Sequence, residues 1–158
     1  MSLHPYRQMP ISLRPRIKSD MRTQFAALCY RITNDKPEIL LVTSRGSGRW
    51  ILPKGWPIPG KTPGECALIE AWEEAGVQGK AHEQCLGIFS YNKATDAVNT
   101  LPCLGLVFPV KVKALATDYP EADQRKRKWL RPKKAAARVD EPELAVILRH
   151  FDPKGLPR

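Results

Sequence analysis

The sequence predicts a single domain in which strands are interspersed with helices, of the α/β or α+β class. Three observations carry this reading. Short apolar, β-compatible runs recur along the chain and are bounded by turn residues. One segment near the middle has both a helix start signal and a helix stop signal. The chain has 158 residues, 42% hydrophobic and 27% charged, which gives room for one domain with a real core and little more.

In chain order, Gln24 to Ile32 reads as a strand, Asn34-Asp35-Lys36-Pro37 supplies turn chemistry, and Glu38 to Thr43 reads as a second strand. Together they predict a hairpin with a moderately long turn. Ser44 to Arg49 is a loop with two glycines and two arginines. Trp50-Ile51-Leu52 is a short apolar strand ending at Pro53, and the stretch from Lys54 to Gly60 is rich in turn residues. Beyond the central helix, Ala81 to Tyr91, Leu101 to Val112 and Arg127 to Leu130 read as strands. Pro132 to Arg138 and Glu141 to His150 read as helices. No internal repeat is present. The expected organisation is a flexible basic arm over 1–21, a domain over 22–152 and a tail over 153–158.

Charge is the first functional hint. Twenty-six Lys and Arg against sixteen Asp and Glu give a net +10, so the surface attracts polyanions without choosing among them. Cys29, Cys66, Cys85 and Cys103 are scattered and form no C-x-x-C pair, which argues against a zinc site or a disulfide framework. Reduced thiols and a cytoplasmic location are the expectation. No apolar run approaches the roughly 20 residues of a membrane-spanning helix, so no membrane partner is expected. Met1 to Gln24 assembles no apolar h-region. It is Arg-rich with its first acid at Asp20, which leaves a mitochondrial-type presequence as the alternative to a basic arm.

The best-marked helix runs from Thr62 to Gly76. Thr62 suits the cap, Pro63 the first helical position, Glu65 completes a T-x-x-E capping box, and Gly76 suits the position after the last turn. At about 100° per residue, Ala67, Leu68, Ala71, Trp72 and Ala75 form one core-facing stripe. Glu70, Glu73 and Glu74 share another face at i, i+3, i+4 spacing, where each like-charged neighbour pair costs about 0.2–0.5 kcal/mol. Glu73 and Glu74 also sit in the last turn, where the helix dipole disfavours anions. No Lys, Arg or His lies between Thr62 and Gly79 to relieve them. Spacing alone leaves two readings open: a solvated acidic face, or a site for a hard, oxygen-preferring cation such as Mg²⁺.

The segment from Gly55 to Val77, Gly55-x5-Lys61-x7-Ile69-Glu70-Ala71-Trp72-Glu73-Glu74-Ala75-Gly76-Val77, resembles the Nudix box, G-x5-E-x7-R-E-U-x-E-E-x-G-U with U apolar. Gly55, Glu70, Glu73, Glu74, Gly76 and Val77 stand at the matching positions. Outside the box, Leu40-Leu41-Val42 leading into Ser44-Arg45, then Arg49-Trp50-Ile51-Leu52-Pro53, Leu86-Gly87-Ile88-Phe89 and Arg125-Lys126-Arg127-Lys128-Trp129 are similar to the diphosphoinositol polyphosphate phosphohydrolase branch. Two positions depart from the pattern: Lys61 replaces its first Glu and Ile69 its Arg, a pair that braces loop against helix in the family. Losing both strands no unpaired charge.

The resemblance implies an α/β/α sandwich with a mixed β-sheet, and hydrolysis of a phosphoanhydride bond by water. It implies Mg²⁺, with Mn²⁺ as the alternative ion, held by Glu70, Glu73 and Glu74, one of which takes the proton. It implies phosphate contacts from Arg22, Ser44, Arg45 and Lys54, with Gly55 letting backbone approach the phosphate, and Lys93 as a weaker candidate. Glu121 and Asp123 are candidates for a further ligand from a later loop. The expected partner is a polyanionic small molecule, a diphosphoinositol polyphosphate or, because Pro53-Lys54-Gly55-Trp56 replaces a run of glycines, a dinucleoside polyphosphate. Trp56 would stack on a base or pack the loop. Nucleic acid is the less favoured partner, and the Arg125 to Lys128 run reads as a solvated strand edge. His4, His82 and His150 have no partner arrangement. The rival readings are a non-catalytic Nudix-like module that binds a phosphorylated ligand or RNA, and an interaction protein whose acidic helix docks a basic partner.

Overall fold

Strand β1 (Arg22–Thr33) and strand β2 (Lys36–Thr43) form an antiparallel hairpin closed by Asn34 and Asp35 alone. Both turn residues have positive φ, 52° and 62°, as a two-residue turn matched to strand twist requires. The turn is therefore tighter than the sequence predicted, and Pro37 belongs to β2, opposite Ile32. The computed structural model describes residues 22–96 and 98–157, so the basic arm expected over 1–21, and His4 within it, lie outside the described residues.

Two short strands follow, β3 (Trp50–Ile51) against the end of β2 and β4 (Lys54–Gly55) against β1. Helix α1 (Pro63–Ala75) comes next, then β5 (Val77–Ala81), β6 (Gly87–Ala94) and the long β7 (Thr100–Leu115). The single strand expected over Ala81 to Tyr91 is thus two. β5 pairs with the far half of β7 and β6 with its near half, and the chain steps outward between them. The step brings Glu83 to the start of α1, where its carboxylate accepts from the Gly64 amide at 3.0 Å and the Thr62 hydroxyl at 2.5 Å. Strand β8 (Arg127–Leu130) pairs with β2, and helices α2 (Pro132–Arg138) and α3 (Pro142–Arg149) end the fold before a 3-10 turn at Pro153–Gly155.

All strands join one mixed sheet, parallel between β1 and β7 and antiparallel elsewhere. Alternation along the strands divides the core in two. Ala27, Cys29, Leu40, Val42 and Val110 pack with the Ala67, Ala71 and Ala75 stripe of α1. Leu28, Leu41, Phe89 and Val107 pack with Ala135, Leu144 and Leu148 of α2 and α3. The architecture is an α/β/α sandwich on a mixed sheet, as the resemblance implies.

Candidate active site

Helix α1 is fixed at both ends by local chemistry. The Thr62 hydroxyl accepts from the Glu65 amide at 3.2 Å, and the Glu65 carboxylate accepts from the Thr62 amide at 2.9 Å. Gly76 ends the helix in the left-handed region at φ 68°. With the alanine stripe buried on the sheet, the three glutamates differ in setting. Glu74 is 6% exposed, Glu70 is half-buried and Glu73 is exposed.

Strand β4 passes directly over this helix. The Lys54 amide donates to Glu74 Oε2 at 3.1 Å. Gly55 is buried, and the Glu70 carboxylate occupies the space that a Cβ at this position would need. Glycine here is the condition for the Glu70 carboxylate to stand against strand β4.

The cations missing from α1 itself arrive from some fifty residues away. The Glu121 amide donates to the Glu73 carbonyl at 3.0 Å, which wraps the loop before β8 around the end of α1. Arg125, with a side chain only 7% exposed, then reaches Glu74 Oε1 and Glu121 Oε1, each at 3.3 Å, and the Thr43 carbonyl at 3.1 Å. Arg127 donates to the Ala75 carbonyl at 2.7 Å and lies over the Tyr119 ring. Both arginines serve the negative end of the helix. The reading of Arg125 to Lys128 as a solvated edge holds only for Lys126 and Lys128, which are exposed.

Electrostatics mark the carboxylates. Burial, then the neighbouring Glu74 and Glu73, push Glu70 up to about 7. Burial also raises Glu74, against the lowering pull of Arg125 and Lys54. Burial holds the Lys54 ammonium below its usual range, with Glu74 opposing.

Beside these residues lies a cleft of about 840 Å³. Glu74, Lys54 and Arg125 line it, with Ser44 and Arg45 on one side, Tyr91 and Lys93 from β6, and Glu141 and Glu143 at the start of α3. The Lys54 ammonium sits 4.9 Å from the Tyr91 ring centre, and Tyr91 in turn donates to Gln24. Arg45 contacts Glu121 at 3.3 Å and Gln124 at 3.0 Å from a largely exposed position. The structure therefore gathers Ser44, Arg45, Lys54 and Glu74 on one cleft, with Gly55 and Glu70 adjoining through β4. Arg22, opposite Cys103 at the start of β1, and Trp56, 39% exposed, do not line it. Glu121 is drawn in beside Arg125, whereas Asp123 is exposed. Lys61 is exposed and Ile69 half-buried. His82 lies within 3.4 Å of the Tyr30 hydroxyl, and His150 ends α3.

Sequence reasoning missed Arg125 as a buried partner of Glu74, and it missed Glu141 and Glu143 as cleft residues. The acidic helix face and the box spacing pointed to Glu74, and nothing local marks Glu141, whose place depends on how α3 packs.

The donor set fits a hard divalent ion. Among the described residues no three acidic, thiol or imidazole side chains converge as they stand. Mg²⁺, however, is commonly held by one or two carboxylates, with waters and substrate phosphate completing its shell. Glu70 and Glu74 supply that minimum, and burial, the largest cause of their raised proton affinity, is a cost that a bound cation would offset.

A carboxylate-bearing helix packed on a mixed sheet, beside a cation-lined cleft, is the arrangement that the comparisons with known proteins place in a family. The NUDIX domain family profile matches residues 22–151, and the chain belongs to that family. Nudix hydrolase 13, mitochondrial, from Arabidopsis thaliana is 30% identical over 137 residues, covering 76% of this chain and 68% of that protein. Diphosphoinositol polyphosphate phosphohydrolase 3-alpha from Homo sapiens is 34% identical over 108 residues, covering 67% and 62%. This chain thus spans about two thirds of the length of both. Among solved structures, a C. elegans Ap4A hydrolase superposes with a TM-score of 0.57 at 22% identity, over 82% of this chain and 95% of that one, a likeness of fold.

Proposed function

We propose that this chain is a divalent-metal-dependent pyrophosphohydrolase, cleaving a phosphoanhydride bond in a polyphosphorylated small molecule. The observation that carries the reading is the meeting of Glu70 and Glu74 with strand β4, at the edge of a cleft lined by Lys54, Arg45 and Arg125. Glu70 and Glu74, joined by Glu73 after side-chain rotation, would hold Mg²⁺ or Mn²⁺. Such an ion, when bound, polarises phosphoryl oxygens and neutralises a diphosphate leaving group.

The chain's own residues do the rest. Ser44, Arg45 and Lys54 hold the phosphates, with Lys93 added from β6. Gly55 lets Glu70 stand beside the backbone that carries the substrate. Arg125 positions Glu74, and Glu70 is either a ligand to the ion or the base that takes the proton from attacking water. Relatives named as diphosphoinositol polyphosphate phosphohydrolases support the substrate class. The Pro53-Lys54-Gly55-Trp56 loop keeps dinucleoside polyphosphates within it.

The test is turnover by the purified chain with Mg²⁺ across inositol pyrophosphates, dinucleoside polyphosphates, nucleotide sugars and nucleoside triphosphates. Glu74→Gln should lower kcat by about a hundredfold or more with KM little changed. An unchanged kcat in that variant would remove Glu74 from the reaction, and no turnover of any substrate would leave a binding module.

A further inference from the structure

Glu141 lines the same cleft from the start of α3. A side-chain oxygen at this cap position can satisfy an amide of the first turn, a role that Ser, Thr, Asp and Asn fill best. Glu141 makes no such bond. Its Oε1 accepts from Arg49 at 2.9 Å, and its Oε2 is buried without a hydrogen-bond partner among the described residues. The whole residue is 8% exposed. A buried carboxylate oxygen lacking a donor is costly, and turning it to the cleft, where a ligand N–H or O–H could donate to it, would relieve that cost.

The surroundings of Glu141 narrow the ligand. The α3 wall of the cleft contributes Asp140, Glu141 and Glu143 and no base. Glu143 is already engaged by the amide and hydroxyl of Ser90, at 3.1 and 2.8 Å. Arg49 stands 3.8 Å from Asp140 as well as against Glu141, so its charge is committed to this wall and not to an incoming phosphate. Arg125 is likewise held by Glu74 and Glu121, so the cations that can turn to phosphate are Lys54, Lys93 and Arg45, whose contact with Glu121 is made from a largely exposed position. A ligand phosphorylated all round its ring would press anions against the α3 carboxylates. A nucleoside polyphosphate carries its charge at one end and offers ribose hydroxyls at the other.

We propose that Glu141 determines substrate specificity, accepting a hydrogen bond from the ribose of a nucleoside polyphosphate and disfavouring a fully phosphorylated inositol ring. This rests on the phosphoanhydride-hydrolase reading of the same cleft and names its substrate class.

The test is calorimetric binding by the full chain, in Mg²⁺ buffer at about 0.15 M salt to screen non-specific attraction. The two probes are the methylene analogue of ADP, which is not cleaved at its bridge, and inositol hexakisphosphate. The wild type should favour the nucleotide. Glu141→Gln should narrow the affinity ratio by about tenfold, the scale of one charge-assisted hydrogen bond, and Glu141→Lys should invert it. The ratio is the quantity read, because an unfolded fraction lowers both apparent capacities alike, and thermal unfolding of each variant checks the fold. A wild type that favours inositol hexakisphosphate, or a ratio unmoved by both substitutions, overturns the proposal. Turnover is measured separately: a Glu141-dependent ratio in a chain that hydrolyses nothing would sink the hydrolase reading and leave the ligand assignment standing.

Discussion

Gly55→Ala separates fold from chemistry more cleanly than removal of any carboxylate. The new Cβ would lie 2.7 Å from Glu70 Cγ and closer still to its carboxylate. Those atoms are the far end of a flexible side chain, so the clash is relieved by swinging Glu70 aside. Gly55 has no positive φ that alanine would strain, and the substitution should recover about 0.4–1 kcal/mol of unfolded-chain entropy. Displacing Glu70 from its rotamer costs about 0.5–1.5 kcal/mol, which roughly cancels that gain. The melting temperature should therefore move by only a few degrees. Turnover should fall by about a hundredfold, because a catalytic group has been misplaced by about 1 Å. Thermal unfolding and steady-state kinetics with Mg²⁺ read the two quantities side by side. A double variant, Gly55→Ala with Glu70→Ala, should be no slower than Glu70→Ala alone, since the methyl group then has nothing to displace. Near-wild-type kcat/KM in Gly55→Ala, or additive losses in the double variant, would refute the reasoning.

Other consequences are open to measurement. Arg125→Met strips the buried Glu74 of its cation and should cost about 3–5 kcal/mol, read as a lower urea midpoint at an unchanged slope. Thr62→Ala breaks the capping box of α1 and frees Glu83, and should cost about 1 kcal/mol, or about 2–4 °C of melting temperature. In chelator-treated protein, Glu70 and Glu74 keep protons that the unfolded chain, with carboxyls near 4.5, has lost. Unfolding then releases protons, so stability should rise as pH falls from about 7 towards 5. A divalent ion, which requires deprotonated ligands, should flatten that slope, and calorimetric scans at pH 5.5 and 8 with and without Mg²⁺ check both effects.

Helix α1 was legible because its signals are local: cap, proline, capping-box glutamate, periodic alanines and terminal glycine all lie within fifteen residues. The box spacing made Glu70 and Glu74 legible as a pair for the same reason. What escaped was set by distant parts of the chain. Lys54–Gly55 looked like turn because its strand character comes only from pairing with Phe25 and Ala26. The break between β5 and β6 follows from the length of β7, which accommodates both, and the polar His82-Glu83-Gln84 between them carries no Pro, Gly or Asn to mark a turn. Arg125 sat in a basic run with nothing to separate a buried ion pair from the solvated lysines one and three residues on. Its burial is decided by the loop that encircles the end of α1. Glu141 was read only as the first residue of a helix, since its exposure to the cleft depends on α3 meeting β6.

The parallel pairing of β1 with β7 joins partners about eighty residues apart, Arg22 to Cys103 and Tyr30 to Lys111. The β1 edge of the hairpin therefore stays open until β7 is made, although α1, which covers one of the hairpin's faces, precedes β7 in the chain. Closing so wide a loop is an entropic cost that falls on the assembly of the sheet and not on the local hairpin.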